Sequence, residues 1–392
     1  MKRSSVKNTM FGILGLAAMA ALSPAAAQDK DPVKVGLMLP YSGTYAALGE
    51  AITNGLKLAI QENNNELGGR PVEYVVVDSE ADASKSPQNM SQLTKGDKVD
   101  FVIGPVHSGV AMGMVKMARQ TDAITIIPNA GLAAATGQLC RPNVFRTSFT
   151  MWQNAHTMGK VAYDRGHRNI ATISWNYAGG KEDLAAFEEG FTEAGGEIMN
   201  QMLVPFPQTE FQSYLTEIAS MKPDAVYTFF AGGGAVKFVK DYHAAGLKDS
   251  VPLLGSGFLT DGTLQAQGEA AEGVLTTLHY AVTLDNEANR HFVEAYSEEF
   301  DARADVYAVQ GYDTGKMLVQ ALGKTGGNTA DKEGLIKALE GVKLDSPRGP
   351  VSFSSAHHPI QNIYLREVKD GRNVVIATAA EALADPARGC SM

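Results

Sequence analysis

Apolar runs alternate with amphipathic stretches from residue 33 onward. The segments "VKVGLML" (33–39), "VEYVVVD" (72–78), "FVIG" (101–104), "ITIIP" (124–128), "NIATISW" (169–175), "AVYTFF" (225–230) and "VPLLGS" (251–256) read as strands. Between them Ile52, Leu56, Ala59 and Ile60 recur at helical spacing, as do Leu184, Phe187 and Phe191. Strands apolar on both faces suit a parallel sheet covered by helices on each side, so the pattern predicts a doubly wound α/β fold. Two such series follow one another. The first ends near "NVFRTSF" (143–149); the second opens with the amphipathic stretch from Trp152 and closes with "GVLTTLHYAV" (273–282). The helical pattern from Glu287 onward needs a home in the first series, and residues 347–378 read as a β-hairpin turning at Asp370-Gly371. The expected organisation is therefore two lobes joined by several crossings. Residues 28–148 with 279–349 form lobe I, residues 149–278 with 350–378 form lobe II, and the tail 379–392 is tethered to lobe I. Ligands of open α/β sheets bind beyond the carboxyl ends of the strands, which points to the loops after residues 39, 104, 128, 176, 230 and 256.

The amino terminus changes the picture of where this fold works. Lys2, Arg3 and Lys7 precede the apolar run "FGILGLAAMAAL" and then "SPAAAQ", the order of an export signal. Cleavage is expected after Ala27, which makes residues 1–27 a signal peptide and the mature chain periplasmic. The run is short for a bilayer span. Removing its three basic groups takes the formal charge from −9 to about −12, which disfavours nucleic acid as a partner. Cys140 and Cys390 both survive cleavage, and an even pair in an oxidising compartment reads as a structural disulfide, two free thiols being the alternative.

Catalytic motifs fail on spacing. "GKT" (323–325) lacks the glycine that a phosphate loop needs five residues before Gly-Lys, since position 318 is Leu, and reads as a helix end. "GGG" (232–234) lacks dinucleotide spacing and reads as a flexible turn. The histidines show no zinc pattern, and His357-His358 are expected to be solvated; neither metal nor cofactor is implied. Ser108 has Val106, not glycine, two residues before it, so it is not a nucleophile elbow, and no enzyme is expected. The stretch "IGPVHSGVAMG" (103–113) instead hands a buried strand to a helix through Ser108-Gly109. Taken alone, Ser108 is either an N-cap or the donor of an anion cradle at a helix start.

The segments "KVGLMLPYSGTYAALGEAITNGLKLAIQENN", "FVIGPVHSG", "NYAGGKEDLAAFEEGF" and "YAVQGYDTGKMLVQAL" resemble the periplasmic leucine/isoleucine/valine-binding family, receptors that feed ABC importers. The resemblance covers nearly the whole mature chain. It implies a type I flytrap of two lobes joined by three crossover strands, working as a monomer with an inner-membrane ABC permease. It also implies that Ser108 and the backbone of Gly109, with Asn129, Ala130 and Gly131, grip a ligand carboxylate. Tyr41, Ser42, Tyr45 and Leu48 would cover the ligand from lobe I, with His107 beside it as a hydrogen-bonding ring. Tyr177, Phe230 and Phe258 would face it from lobe II, with Tyr307 as a wall. In amino-acid receptors of the family an acid after the "VPLLG" strand holds the ligand ammonium; here Gly257 stands near that place and Asp261 lies four residues on. An unpaired buried ammonium is costly, so the resemblance favours an aromatic carboxylate such as a benzoate, a hydroxycinnamate or an aryl keto acid. A branched-chain amino-acid or amide receptor and a flytrap sensor for a signalling partner are the alternatives.

Overall fold

The computed structural model describes residues 31–392, so the expected signal peptide lies outside the described residues. Lobe I is built on a parallel sheet of order β2-β1-β3-β4-β5. Its elements in chain order are β1 (Val33–Leu39), α1 (Ala46–Gln61), β2 (Val72–Asp78), α2 (Ser86–Ser91), β3 (Phe101–Ile103), α3 (Ser108–Ala118), β4 (Ile124–Ile127), α4 (Ala133–Thr136) and β5 (Val144–Arg146). The chain then enters lobe II through α5 (Met151–Asp164), β6 (Asn169–Trp175), α6 (Ala178–Ala194), β7 (Glu197–Val204), α7 (Gln212–Met221), β8 (Ala225–Phe229), α8 (Gly232–Ala244), β9 (Leu253–Ser256), α9 (Leu264–Gln267) and β10 (Leu275–Leu278). β6 to β10 form the parallel part of the second sheet, ordered β10-β9-β8-β6-β7.

Three helices follow: α10 (Glu287–Phe300), α11 (Val306–Thr325) and α12 (Lys332–Glu340). α11 lies along α1, where Gly55 and Gly311 permit backbone contact: a Cβ on Gly55 would sit 1.9 Å from the Ala308 carbonyl. Met317, Leu318 and Leu322 of α11 and Leu335 and Leu339 of α12 share one core with Val33, Val35 and Leu37 of β1. The helical pattern from Glu287 therefore packs on the first sheet. β11 (Leu344–Ser346), β12 (Gly349–Phe353), β13 (Pro359–Lys369) and β14 (Arg372–Leu383) then extend the second sheet antiparallel from β10. Lobe crossings after β5, after β10 and after α12 make the three-crossover flytrap of type I.

Several expectations needed correction. The segment 347–378 holds three strands rather than one hairpin; the Asp370-Gly371 turn is present, with both residues at positive φ (51° and 66°) as a tight two-residue turn requires. β14 runs to Leu383, past the expected end of lobe II at 378, and Leu344 and Val351 bury against the first lobe's core. β7 was not anticipated, because this strand at the end of the sheet alternates exposed and half-buried positions and carries Asn200 and Gln201. His357 and His358 are buried, not solvated. His357 Nδ1 meets the Val144 carbonyl at 3.0 Å, and His358 Nε2 meets Gln153 Oε1 at 3.0 Å. "GGG" is the first turn of α8 rather than a flexible turn, whereas "GKT" does end α11, with Gly326 left-handed after it. The Cys140–Cys390 disulfide is formed across a separation of 250 residues and ties the carboxyl terminus to the loop between α4 and β5.

Candidate functional site

The site begins where β3 gives way to α3. His107, not Ser108, is the N-cap: its backbone is extended, and its Nδ1 accepts from the Gly109 N–H at 3.1 Å. That hydrogen bond decides the tautomer, since a lone pair on Nδ1 leaves the ring proton on Nε2. Burial lowers the imidazole pKa to about 4, so the ring is neutral at physiological pH. His107 Nε2 and the adjacent Ser108 Oγ are both buried with no partner among the described residues. Two unpartnered hydrogen-bond donors on consecutive residues thus stand at a helix start. The Gly109 N–H, expected to serve the ligand, is consumed by the cap.

Lobe II closes over these donors with aromatic rings and glycines. Tyr177 stacks on His107 at 4.6 Å with an interplanar angle of 20°, and Phe206 lies 4.9 Å away. Tyr45 from lobe I packs on Phe206 and hydrogen-bonds Tyr177 through its hydroxyl. A Cβ on Gly179 would stand 2.8 Å from Ser108 Oγ, and one on Gly232 would stand 2.3 Å from the Thr44 carbonyl. Gly232 also has φ +55°, so only glycine satisfies both the backbone and the close approach. On the far side Phe258 packs against Phe149 at 4.6 Å, Tyr307 at 6.0 Å and Phe229 at 6.2 Å. The Tyr307 hydroxyl is buried and unpartnered, with burial holding its pKa well above 10, so it too is a donor.

The expected lobe I loop 129–131 supports the site more than it faces a ligand. Asn129 Nδ2 donates to Gln310 Oε1 at 2.7 Å, and Gln310 Nε2 meets His279 Nε2 at 3.2 Å, a relay from lobe I through α11 to the end of β10. The Ala130 N–H donates to the Pro105 carbonyl, and the Gly131 carbonyl accepts from Met151 N. Buried Arg146 donates to the carbonyls of Ala130, Leu132 and Phe149; desolvation pulls its pKa down to about 10, so it stays cationic behind the loop. The carboxylates of Asp385 and Glu182 offset its charge.

Other expected residues are placed away from the donors. Tyr41 hydrogen-bonds Thr53 at 2.8 Å, and Ser42 is exposed beside Asp78, whereas Leu48 is buried in the interlobe core. Phe230 points into the lobe II core against Phe211 and Phe238; its neighbour Phe229 supplies the cleft ring. Gly257 faces Arg366 and Leu278, where a Cβ would meet either at 2.5 Å. Asp261 is taken by an ion pair with Arg366 and accepts from Val306 N at 3.0 Å. Neither position therefore offers a carboxylate to an ammonium. The one His/Glu group that brings its ligand atoms within 4.8 Å among the described residues, His156-Glu189-Glu193, lies on α5 and α6 and is already engaged: Glu189 by Arg388, His156 by Glu193. Phe206, Phe149, His279 and Gln310 were missed in the sequence. Phe206 follows β7, so overlooking that strand also hid its carboxyl-end loop.

Known proteins match this arrangement. The periplasmic binding protein family model matches residues 32–373. The Leu/Ile/Val-binding protein homolog 6 of Brucella melitensis biotype 1 is 34% identical over 363 residues, 91% of this chain and 92% of that protein. Among solved structures, an ABC transporter solute-binding protein from R. palustris in complex with benzoate superposes with a TM-score of 0.91 at 47% identity, covering 92% of this chain and 100% of its own. Another, from Rhodopseudomonas palustris BisB5 in complex with 3,4-dihydroxybenzoic acid, gives 0.86 at 35% identity, covering 91% and 99%. Among the described residues no helix is long and apolar enough to cross a membrane.

Proposed function

Since the chain belongs to the periplasmic binding protein family, we propose that it is the periplasmic, monomeric receptor of an ABC importer and that it closes around a small aromatic carboxylate. The observation that carries this reading is the pair of buried donors, His107 Nε2–H and Ser108 Oγ, set at the start of α3 between aromatic walls. Donors without acceptors call for an anion, and a carboxylate has two oxygens to meet them. The walls of Tyr177, Phe206, Phe229 and Phe258 suit a flat ring. Bound benzoate and 3,4-dihydroxybenzoic acid in the two similar structures support the same class of ligand. An α-amino acid fits poorly, because Gly257 offers no acid and Asp261 is held by Arg366.

The work done is binding, without covalent chemistry. A carboxylate docks on lobe I through residues 107 and 108; Tyr177 and Phe258 of lobe II touch the ring only when the lobes meet, and that difference in contacts pulls the hinge shut. Micromolar affinity needs about −8 kcal/mol in total. Two charge-assisted hydrogen bonds at about 1.5–3 kcal/mol each and one buried ring are of that order before ordering costs. The closed form then presents itself to an inner-membrane permease. Calorimetry with benzoate and with leucine tests the ligand class: benzoate is expected to bind and leucine not. Ser108→Ala is expected to weaken benzoate by roughly 1–3 kcal/mol, about fivefold to a hundredfold or more. Leucine binding with benzoate silent would overturn the reading.

A further inference from the structure

Two carboxyl groups from opposite lobes meet at the first turn of α11, and the carboxylate reading uses neither. Half-buried Asp305 belongs to lobe I and caps the helix: its Oδ1 accepts from the Ala308 N–H at 2.9 Å. Asp261 comes from the lobe II loop after β9, and its Oδ1 accepts from the Val306 N–H at 3.0 Å. The loop follows its acid closely. Gly262, at φ +67°, lies so near that a Cβ there would stand 2.9 Å from Asp305 Oδ2 and 3.3 Å from the Tyr307 ring. Lobe II backbone thus covers a lobe I carboxyl while the lobes are shut, and parting them returns that carboxyl to water.

The charges around the pair are unequal. Asp261 has a cation of its own: Arg366 on β13 forms an ion pair with its Oδ2 and is otherwise spent on the carbonyls of Gly257 and Tyr280 and on the Thr276 hydroxyl. Among the described residues no cation pairs with Asp305. Facing it are Asp261, Tyr307 from its own helix, Tyr280 from the crossing after β10 and Tyr296 from α10. Asp301, Arg303, Asp370 and Arg372 line the groove outside; all four are exposed and their signs balance, so water screens them. A helix start offers about half a positive charge, too little for two carboxylates. Burial, with Asp261 adding to it, lifts the Asp305 carboxyl to about 7 in this shut arrangement, against the backbone hydrogen bonds from Ala308 and Tyr307 that hold it down. With the lobes apart, the cover of Gly262 and the nearness of Asp261 are both removed.

We propose that closure of the lobes takes up a proton at Asp305, so that the receptor holds its ligand more tightly as its surroundings turn acid. A carboxyl that binds its proton more firmly in the shut form than in the open one gains that proton on closure; the gain is small at about pH 8 and grows as the pH falls through about 7. The inference rests on the aromatic-acid reading only for the choice of benzoate as the ligand that shuts the lobes. The test is calorimetry of the mature chain with benzoate at pH 8 and pH 6, wild type against Asp305→Asn and Asp305→Ser. Both replacements cap a helix and neither titrates, and the second serves where the first does not fold. Benzoate is ionised at both pH values and His107 titrates alike in all three proteins, so the ratio of wild-type to variant affinity isolates residue 305. That ratio is expected to rise about tenfold from pH 8 to pH 6, as follows for a carboxyl at about 7 in the bound form and near its ordinary value in the free one. Titration at pH 6 in two buffers of unlike ionisation heat is expected to show about 0.9 proton more taken up per benzoate by the wild type than by either variant. A ratio constant within about twofold, with equal proton counts, would overturn the inference and leave the aromatic-acid reading standing. If benzoate is silent and leucine binds, that reading falls, and the same comparison made with leucine decides the inference.

Discussion

His107 has two separable jobs, and one substitution divides them. Its Nδ1 caps α3, and its Nε2–H is available to a ligand oxygen. Asparagine caps helices as well as any residue but cannot place a donor where Nε2 stands; alanine does neither. His107→Asn is therefore expected to keep the fold and lose affinity. The lost hydrogen bond to a carboxylate is worth about 1.5–3 kcal/mol, and the lost stacking on Tyr177 and Phe206 about 0.5–1.5 kcal/mol more. Together these weaken benzoate by at least about thirtyfold. His107→Ala is expected to lose the same affinity and, in addition, about 1 kcal/mol of stability from the missing cap, a fall of a few degrees in Tm relative to the asparagine variant. Isothermal titration with benzoate reads the first quantity and thermal denaturation of the unliganded protein the second. An asparagine variant that binds benzoate within threefold of wild type would refute the donor role. Equal Tm values for the two variants would refute the cap.

Three further outcomes follow from the same geometry. Gly232→Ala puts a Cβ 2.3 Å from the Thr44 carbonyl across the lobe boundary, so ligand affinity by calorimetry is expected to fall more than tenfold; the left-handed backbone adds about 1–2 kcal/mol of destabilisation. Cys390→Ser removes the tether to residue 140 and is expected to cost about 2–5 kcal/mol in chemical denaturation while benzoate affinity changes less than twofold, since neither cysteine is among the residues proposed to hold the ligand. Acid should destabilise the fold from near neutrality. His107, His279 and His358 are all pushed below the ordinary value by burial, so the unfolded chain takes up protons more readily than the native one. Their contribution is complete above about pH 6.5 and is lost as the pH falls towards 4, which a Tm series from pH 8 to pH 4 reads directly. His107→Asn should flatten part of that slope.

The lobes and the loops that carry the site were legible because each buried parallel strand must be apolar along its whole length, and ligands gather at the strands' carboxyl ends. Ser108, Tyr177 and Phe258 stand in or beside such loops, the ligand roles proposed for them and for His107 came with the family resemblance, and the disulfide followed from two cysteines in a chain with an export signal. What a linear pattern could not carry was direction. Phe229 and Phe230 are adjacent and equally apolar, and only the pleat decides that the first lines the cleft while the second fills the core. Asp261 looked available until Arg366, 105 residues on, was brought against it. The same holds for the cap, where the sequence offered Ser108 and the backbone chose His107. Hydrophobic periodicity is a local property written in neighbouring residues. The partner of each polar atom is chosen by folding, and in this protein the atoms left without one, His107 Nε2 and Ser108 Oγ, become visible only after every other contact is made.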